Sequence, residues 1–164
     1  MKKIQNQIIN SQIRIVEFNP RYIEGIKHVV FSAMKDLRPN YNPLTDPRNE
    51  DLDKIPQIYG GKGKFWVALN KQQVIGTIAV LEDSVKSADL KRFFLLKEYR
   101  GRKIGWKLLQ VALDHCNKQG FKEIYLITST YAADAQRLFQ RNGFIRTRRT
   151  FEFDKALIEY ILKI

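Results

Sequence analysis

The chain has 164 residues, 44% of them apolar and 12% aromatic, which is enough to close one hydrophobic core and excludes a solvated, disordered chain. Lys and Arg number 29 against 17 Asp and Glu, a formal charge of +12 that favours anionic partners. The single cysteine, Cys116, excludes an intramolecular disulfide and a cysteine-rich zinc site, and with only His28 and His115 beside it no metal is expected.

The opening run Met1 to Asn10 is rich in amides and lacks the unbroken apolar core of a signal peptide. No later run approaches a membrane span, so a cytoplasmic protein without membrane contact is expected. Residues 1–12 carry little periodicity and read as a flexible arm, with residues 13–164 forming one domain. Ile13 to Phe18 alternates as a strand ended by Asn19-Pro20, and a helix follows from Tyr22 to Leu37. Arg38-Pro39 and Asn42-Pro43 stop it, because proline has no N–H to donate and restrains the residue before it.

Thr45 or Asp46 caps a second short helix, with Pro47 in its first turn and Glu50, Asp51 and Asp53 behind, closed by Gly60-Gly61-Lys62-Gly63. Phe65 to Leu69 and Val74 to Leu81 form an antiparallel hairpin, and Asp89 to Leu96 is the next strand. Past Arg100 the period changes to 3.6: Ile104, Leu108, Val111, Ala112 and His115 or Cys116 share one face of a helix that ends at Gly120. Ile124 to Thr128 is a strand, Ala132 to Arg141 a helix stopped by Asn142-Gly143, and Phe144 to Phe153 and Leu157 to Ile161 are two last strands.

One stretch carries chemistry. From Phe93-Phe94-Leu95 the chain passes through Arg100-Gly101-Arg102-Lys103-Ile104-Gly105-Trp106 into the long helix. The first amides of a helix lack intrahelical acceptors and sit at the positive end of its dipole, so such a junction suits a pyrophosphate. Gly101 and Gly105 keep side chains away from that backbone, and Arg100, Arg102, Lys103 and Lys107 add charge. The spacing is neither a Walker loop nor a Gly-x-Gly-x-x-Gly fingerprint, which argues against ATP and NAD.

Arg100-Gly101-Arg102-Lys103-Ile104-Gly105 resembles the Arg/Gln-x-x-Gly-x-Gly/Ala loop of the GNAT superfamily of acetyl-coenzyme A-dependent N-acetyltransferases. Phe93-Phe94-Leu95 is similar to that family's preceding strand, and Ala135 to Phe144 to its closing helix with an Asn-Gly-Phe ending. The element order agrees over about Ile13 to Ile161. The resemblance implies an α/β fold, a mixed and mostly antiparallel sheet flanked by helices on both faces, split near the cofactor strand.

It further implies acetyl-coenzyme A as cosubstrate and an amine acceptor, a small molecule or a peptide, attacking directly in a ternary complex. Phe93, Phe94 and Leu95 would hold the pantetheine and acetyl group, with a backbone amide near Leu95 facing the developing oxyanion, and Arg100 to Trp106 would hold the pyrophosphate. Asp89, eleven positions before Arg100, stands where the histone-acetylating branch carries its glutamate base, and its shorter side chain would act through water.

The sequence departs from the family at two places. Lys103 replaces the loop's middle glycine, and Phe139 stands where a proton-donating tyrosine is common, which leaves Tyr131 or Ser129 as substitutes or the reacting amine itself as the proton source. These departures motivate the alternative of an acyl-CoA-binding sensor or interaction module.

Asp46, Glu50, Asp51 and Asp53 border the acceptor side in the resembled family and would attract a cation, or they simply enrich the first turn of a helix. Arg141, Arg146, Arg148 and Arg149 would meet the adenosine 3′-phosphate, an acidic acceptor or solvent. No nucleic-acid-binding motif accompanies the charge, so no specific nucleic acid is expected, and a homodimer is allowed.

Overall fold

The computed structural model describes residues 1–147 and 156–164. It begins with helix α1, Lys2–Gln12, over the residues that the sequence reads as a flexible arm. Lys, Gln and Ile tolerate helical backbone well, and local hydrogen bonds form without a regular apolar stripe. Residues 1–5 of this segment are exposed.

Strand β1, Ile13–Glu17, leads through a 3-10 turn at Pro20–Tyr22 into α2, Ile23–Leu37, so Tyr22 precedes the α-helix and does not open it. The expected short helix after α2 is a pair of 3-10 turns, Pro43–Thr45 and Pro47–Asp53, followed by one α-turn, α3, Ile55–Ile58. Asp46 is the residue that caps, its carboxylate accepting the Arg48 N–H at 3.1 Å. Prolines at 43, 47 and 56 keep each piece short, since each removes a donor.

Strands β2, Lys64–Asn70, β3, Gln73–Glu82, and β4, Ser87–Leu95, form a meander, with β4 opening two residues before its expected start. Helix α4, Ile104–Lys118, strand β5, Glu123–Ser129, and helix α5, Ala133–Arg141, follow. The chain ends with β6, Ile145–Arg146, and β7, Leu157–Lys163. The long strand expected from Phe144 to Phe153 pairs with β7 only at Ile145 and Arg146, and its residues 148–153 lie outside the described residues.

The sheet runs β1-β2-β3-β4-β5-β7-β6, and every pairing is antiparallel except β4 with β5. Neighbouring residues of β2 assign its two faces. The Phe65 ring meets Tyr59 at 5.4 Å, on the side of α2 and α3, while Trp66 meets His115 of α4 at 5.1 Å on the other. Helices therefore cover both faces. Ile26, Val29 and Val30 of α2 and Leu108, Leu109, Ala112 and Cys116 of α4 are fully buried against β2 to β5. Burying apolar surface at about 25 cal/mol per Å² is the main drive for this layering. Among the described residues no helix is long and apolar enough to cross a membrane, and no cluster of His, Cys, Asp and Glu could hold a metal.

Candidate active site

The site begins where the sheet splits. β4 pairs with β5 only from Ser87 to Leu90, against Glu123 to Leu126. Beyond Leu126, β5 continues against β7 alone, so Phe93 to Leu95 border a gap.

A bulge aims the backbone at that gap. Thr77 pairs with Phe94 and Ala79 with Lys91, so Arg92 and Phe93 together oppose the single residue Ile78. Arg92 takes the left-handed region at φ +53, and its carbonyl accepts the hydroxyl of fully buried Thr77 at 2.6 Å. The Leu96 N–H donates to Ile75 on β3, and because backbone groups alternate along a strand, those of Leu95 point away from β3 into the gap.

The loop that follows is a 3-10 turn, Lys97–Tyr99, then Arg100 to Lys103 and the start of α4. Gly101 sits at φ +74 with open space around it, so backbone conformation rather than room calls for glycine there. Lys103 takes φ +63, also left-handed, with its side chain exposed. Among the described residues no side chain caps α4, and its first amides face outward beside Arg102 and Lys107. Tyr99 accepts the Asn70 amide at 2.9 Å, and the Arg102 guanidinium lies 5.5 Å from the Tyr99 ring, which braces the loop.

The expected site residues divide into those at the gap and those that support it. Phe94, Leu95, Gly101, Arg102, Lys103, Gly105 and the half-exposed Trp106 surround the junction. Arg100 turns back, its Nε donating to the Leu95 carbonyl at 3.1 Å and its Nη2 meeting Asp36 of α2 at 3.2 Å. Ile104 is 1% exposed, so it contributes backbone only. The Phe93 ring packs on Phe139 at 5.4 Å and lies 3.4 Å from where a Gly105 Cβ would stand, forming a wall between β4, α4 and α5.

Asp89 pairs with Leu81 on β3 and Tyr125 on β5. It precedes Phe93 by four residues and Leu95 by six, roughly 13 and 20 Å along a strand rising ~3.3 Å per residue. Tyr131 is exposed, with its N–H donating to Ser129 Oγ at 3.1 Å, in the loop between β5 and α5. Phe139 is 2% exposed and packed among Phe93, Phe144 and Tyr160.

Three of the four acids after α2 are engaged within the chain, and Glu50 is exposed. Asp46 pairs with Arg48, whose charge-assisted hydrogen bonds hold the carboxyl below its ordinary range. Asp53 meets Lys27 at 2.7 Å, and Asp51 meets Arg92. Burial pulls the Arg92 pKa down, but the Asp51 carboxylate overcomes it and raises the value. Arg141 and Arg146 are exposed, and Arg148 and Arg149 lie outside the described residues. Sequence reasoning missed Arg92 and the bulge, since nothing in an alternating strand pattern marks where one residue is inserted.

The profile of the acetyltransferase (GNAT) family matches residues 31–144. The chain is 32% identical over 145 residues to N-alpha-acetyltransferase 30 of Schizosaccharomyces pombe, covering 86% of this chain and 89% of that one. It is 34% identical over 110 residues to N-acetyltransferase family 8 member 3 of Rattus norvegicus, covering 63% of itself and spanning 48%, about half, of that relative. Among solved structures, the PaiA N-acetyltransferase of Thermoplasma acidophilum in complex with coenzyme A superposes with a TM-score of 0.77 at 21% identity, over 93% of this chain and 99% of that one, a likeness of fold. The split sheet, the bulged strand, the glycine-bearing loop and the family match over most of the chain lead to one conclusion: this chain belongs to the GNAT acetyltransferase family.

Proposed function

We propose that the chain moves the acetyl group of acetyl-coenzyme A to a primary amine of a small molecule or peptide, by direct attack in a ternary complex. The observation that carries this reading is the continuity of the gap at Phe93 to Leu95 with the outward-facing amides at the start of α4. One elongated donor would lay its pyrophosphate on those amides and its thioester beside the bulged strand. The residues present fit such a donor: Gly101 leaves open space, the Lys103 side chain is exposed, and Arg102 and Lys107 supply counter-charge. The PaiA protein is itself solved with coenzyme A, and the name of the fission-yeast relative points to α-amines of peptides as one acceptor class.

In the reaction the amine nitrogen bonds to the acetyl carbonyl carbon, the carbon–sulfur bond breaks, and the sulfur gains a proton. The amine must first be neutral, because an ammonium has no lone pair. Asp89 would accept that proton, and from its place roughly 13 Å or more along β4 from the gap it would do so only through a chain of ordered waters. A backbone N–H of the bulged strand would stabilise the oxyanion. Tyr131, exposed in the loop after β5, would supply the proton to sulfur, since Phe139 has none to give.

The test is thiol release from acetyl-coenzyme A with a dipeptide amide bearing a free N-terminus, Nα-acetyl-lysine amide, spermidine and a simple alkylamine. Amine-dependent release is expected with at least one, together with a loss of about 10²-fold in kcat for Asp89→Asn and a shifted pH profile. Tight coenzyme A binding without release from any acceptor would favour the acyl-CoA-binding sensor instead.

A further inference from the structure

We propose that Arg92 is a positioning residue: clamped to Asp51, it holds the acceptor-side segment Pro47–Asp53 in register with the bulge of β4, so that amine and thioester carbonyl meet in reactive geometry. The inference rests on the transferase reading and adds a residue to it.

The Arg92 side chain leaves the bulge on the α2 side of the sheet and reaches one short stretch, residues 48–51, besides the neighbouring Tyr59 hydroxyl. Its Nε donates to Asp51 Oδ2 at 2.9 Å, its Nη2 to Asp51 Oδ1 and the Arg48 carbonyl, and its Nη1 to Asn49 Oδ1 at 3.2 Å. Asp51 in turn accepts the Tyr59 hydroxyl. The Arg92 and Asp51 side chains are only 12% and 16% exposed, so the forked pair is well shielded from water.

The segment needs such ties. Its backbone is 3-10, with poor hydrogen-bond geometry, and prolines bound it on both sides. Asp53 ties it to Lys27 of α2, whereas Asp51 ties it to β4. At the other end of the same side chain, the Arg92 backbone holds a left-handed conformation that a non-glycine residue seldom adopts. Its carbonyl is pinned by Thr77 and its guanidinium by residues 48–51, and together they fix the bulge just before Phe93 to Leu95. One residue thus spans the strand that faces the thioester and the segment on the acceptor side. The pyrophosphate loop, which opens α4 on the other face of the sheet, is not part of this network.

Arg92→Gly and Asp51→Asn test this. Glycine keeps the left-handed backbone and removes only the fork, and asparagine keeps the size of Asp51 without its charge. Coenzyme A should still bind within about threefold of wild type by calorimetry. With the best acceptor of the four-amine panel, kcat/KM should fall at least about tenfold, chiefly through the KM for amine. The double variant should be no worse than the poorer single one, because both remove the same contact. Amide hydrogen exchange should quicken together in 47–53 and in 93–95.

A kcat/KM within twofold of wild type would overturn the proposal, and so would a coenzyme A affinity that falls in step with activity. If wild type releases no thiol with any amine, the transferase reading fails and exchange alone decides. Faster exchange at both places then supports the tether, and a change confined to 47–53 overturns it.

Discussion

Lys103 holds a conformation that glycine normally supplies. At φ +63 its Cβ crowds the following carbonyl, a strain of about 1 kcal/mol for an L-residue. Lys103→Gly should therefore raise stability by roughly 0.5–1 kcal/mol, read as a higher Tm, after allowing for glycine's greater unfolded-state entropy. A lower Tm would mean that the lysine side chain makes a contact that outweighs the strain. Cys116 offers a pH test at the same scale. Burial pushes its thiol up from 9.0 to about 12, so the folded protein holds that proton while the unfolded chain releases it. Stability is unaffected below pH 9 and falls as pH rises from there toward 12. Alkylation of native protein at pH 8 should be negligible and become rapid in denaturant, whereas fast native alkylation would place the thiol at the surface.

At the scale of elements, α2 comes close to β3. A Cβ on Gly25 would stand 2.7 Å from Val74 Cγ2, closer than atoms pack. Gly25→Ala should cost about 1–3 kcal/mol by overpacking despite alanine's better helix propensity, and adding Val74→Ala should recover part of it. Equal stability of Gly25→Ala and wild type would show that α2 can shift freely on the sheet. The elements themselves were largely legible. Two apolar runs separated by a polar turn marked β2 and β3, and the apolar stripe of Ile104, Leu108 and Ala112 marked α4. Asn142-Gly143 marked the end of α5. What was not legible depended on tertiary contact. The 3-10 turns of residues 43–53 follow from where Asp51 and Asp53 find partners, and α1 offers only Ile4, Ile8 and Ile9 among polar residues to announce it. In the site, the glycine-bearing loop could be read from residue types, while the bulge at Arg92 and the inward turn of Arg100 needed the register of β3 and the position of Asp36.

At the scale of the molecule, the sheet is continuous from β1 to β4 and from β5 to β6, and its one parallel junction, between β4 and β5, is only four residue pairs long. The fold makes its cleft there, lined by strand backbone on one side and ended by a helix start. The charge of +12 supplies a general attraction for a polyanionic donor, but the account assigns affinity to the loop, not to the net charge. Gly105 separates the two. A Cβ there would lie 3.4 Å from Phe93 Cζ, an ordinary contact, so Gly105→Ala should fold and bind coenzyme A much as wild type does.

Gly105→Glu would carry a carboxylate to the start of α4 and lower the net charge only from +12 to about +11, too little to alter general attraction. Isothermal titration of coenzyme A and acetyl-coenzyme A into wild type, Gly105→Ala and Gly105→Glu tests the central claim most directly. The account predicts tight binding by the first two and a loss of at least about thirtyfold, ~2 kcal/mol, in the third with its Tm unchanged. Equal binding by all three would place the donor elsewhere and leave the loop a basic helix start without a ligand.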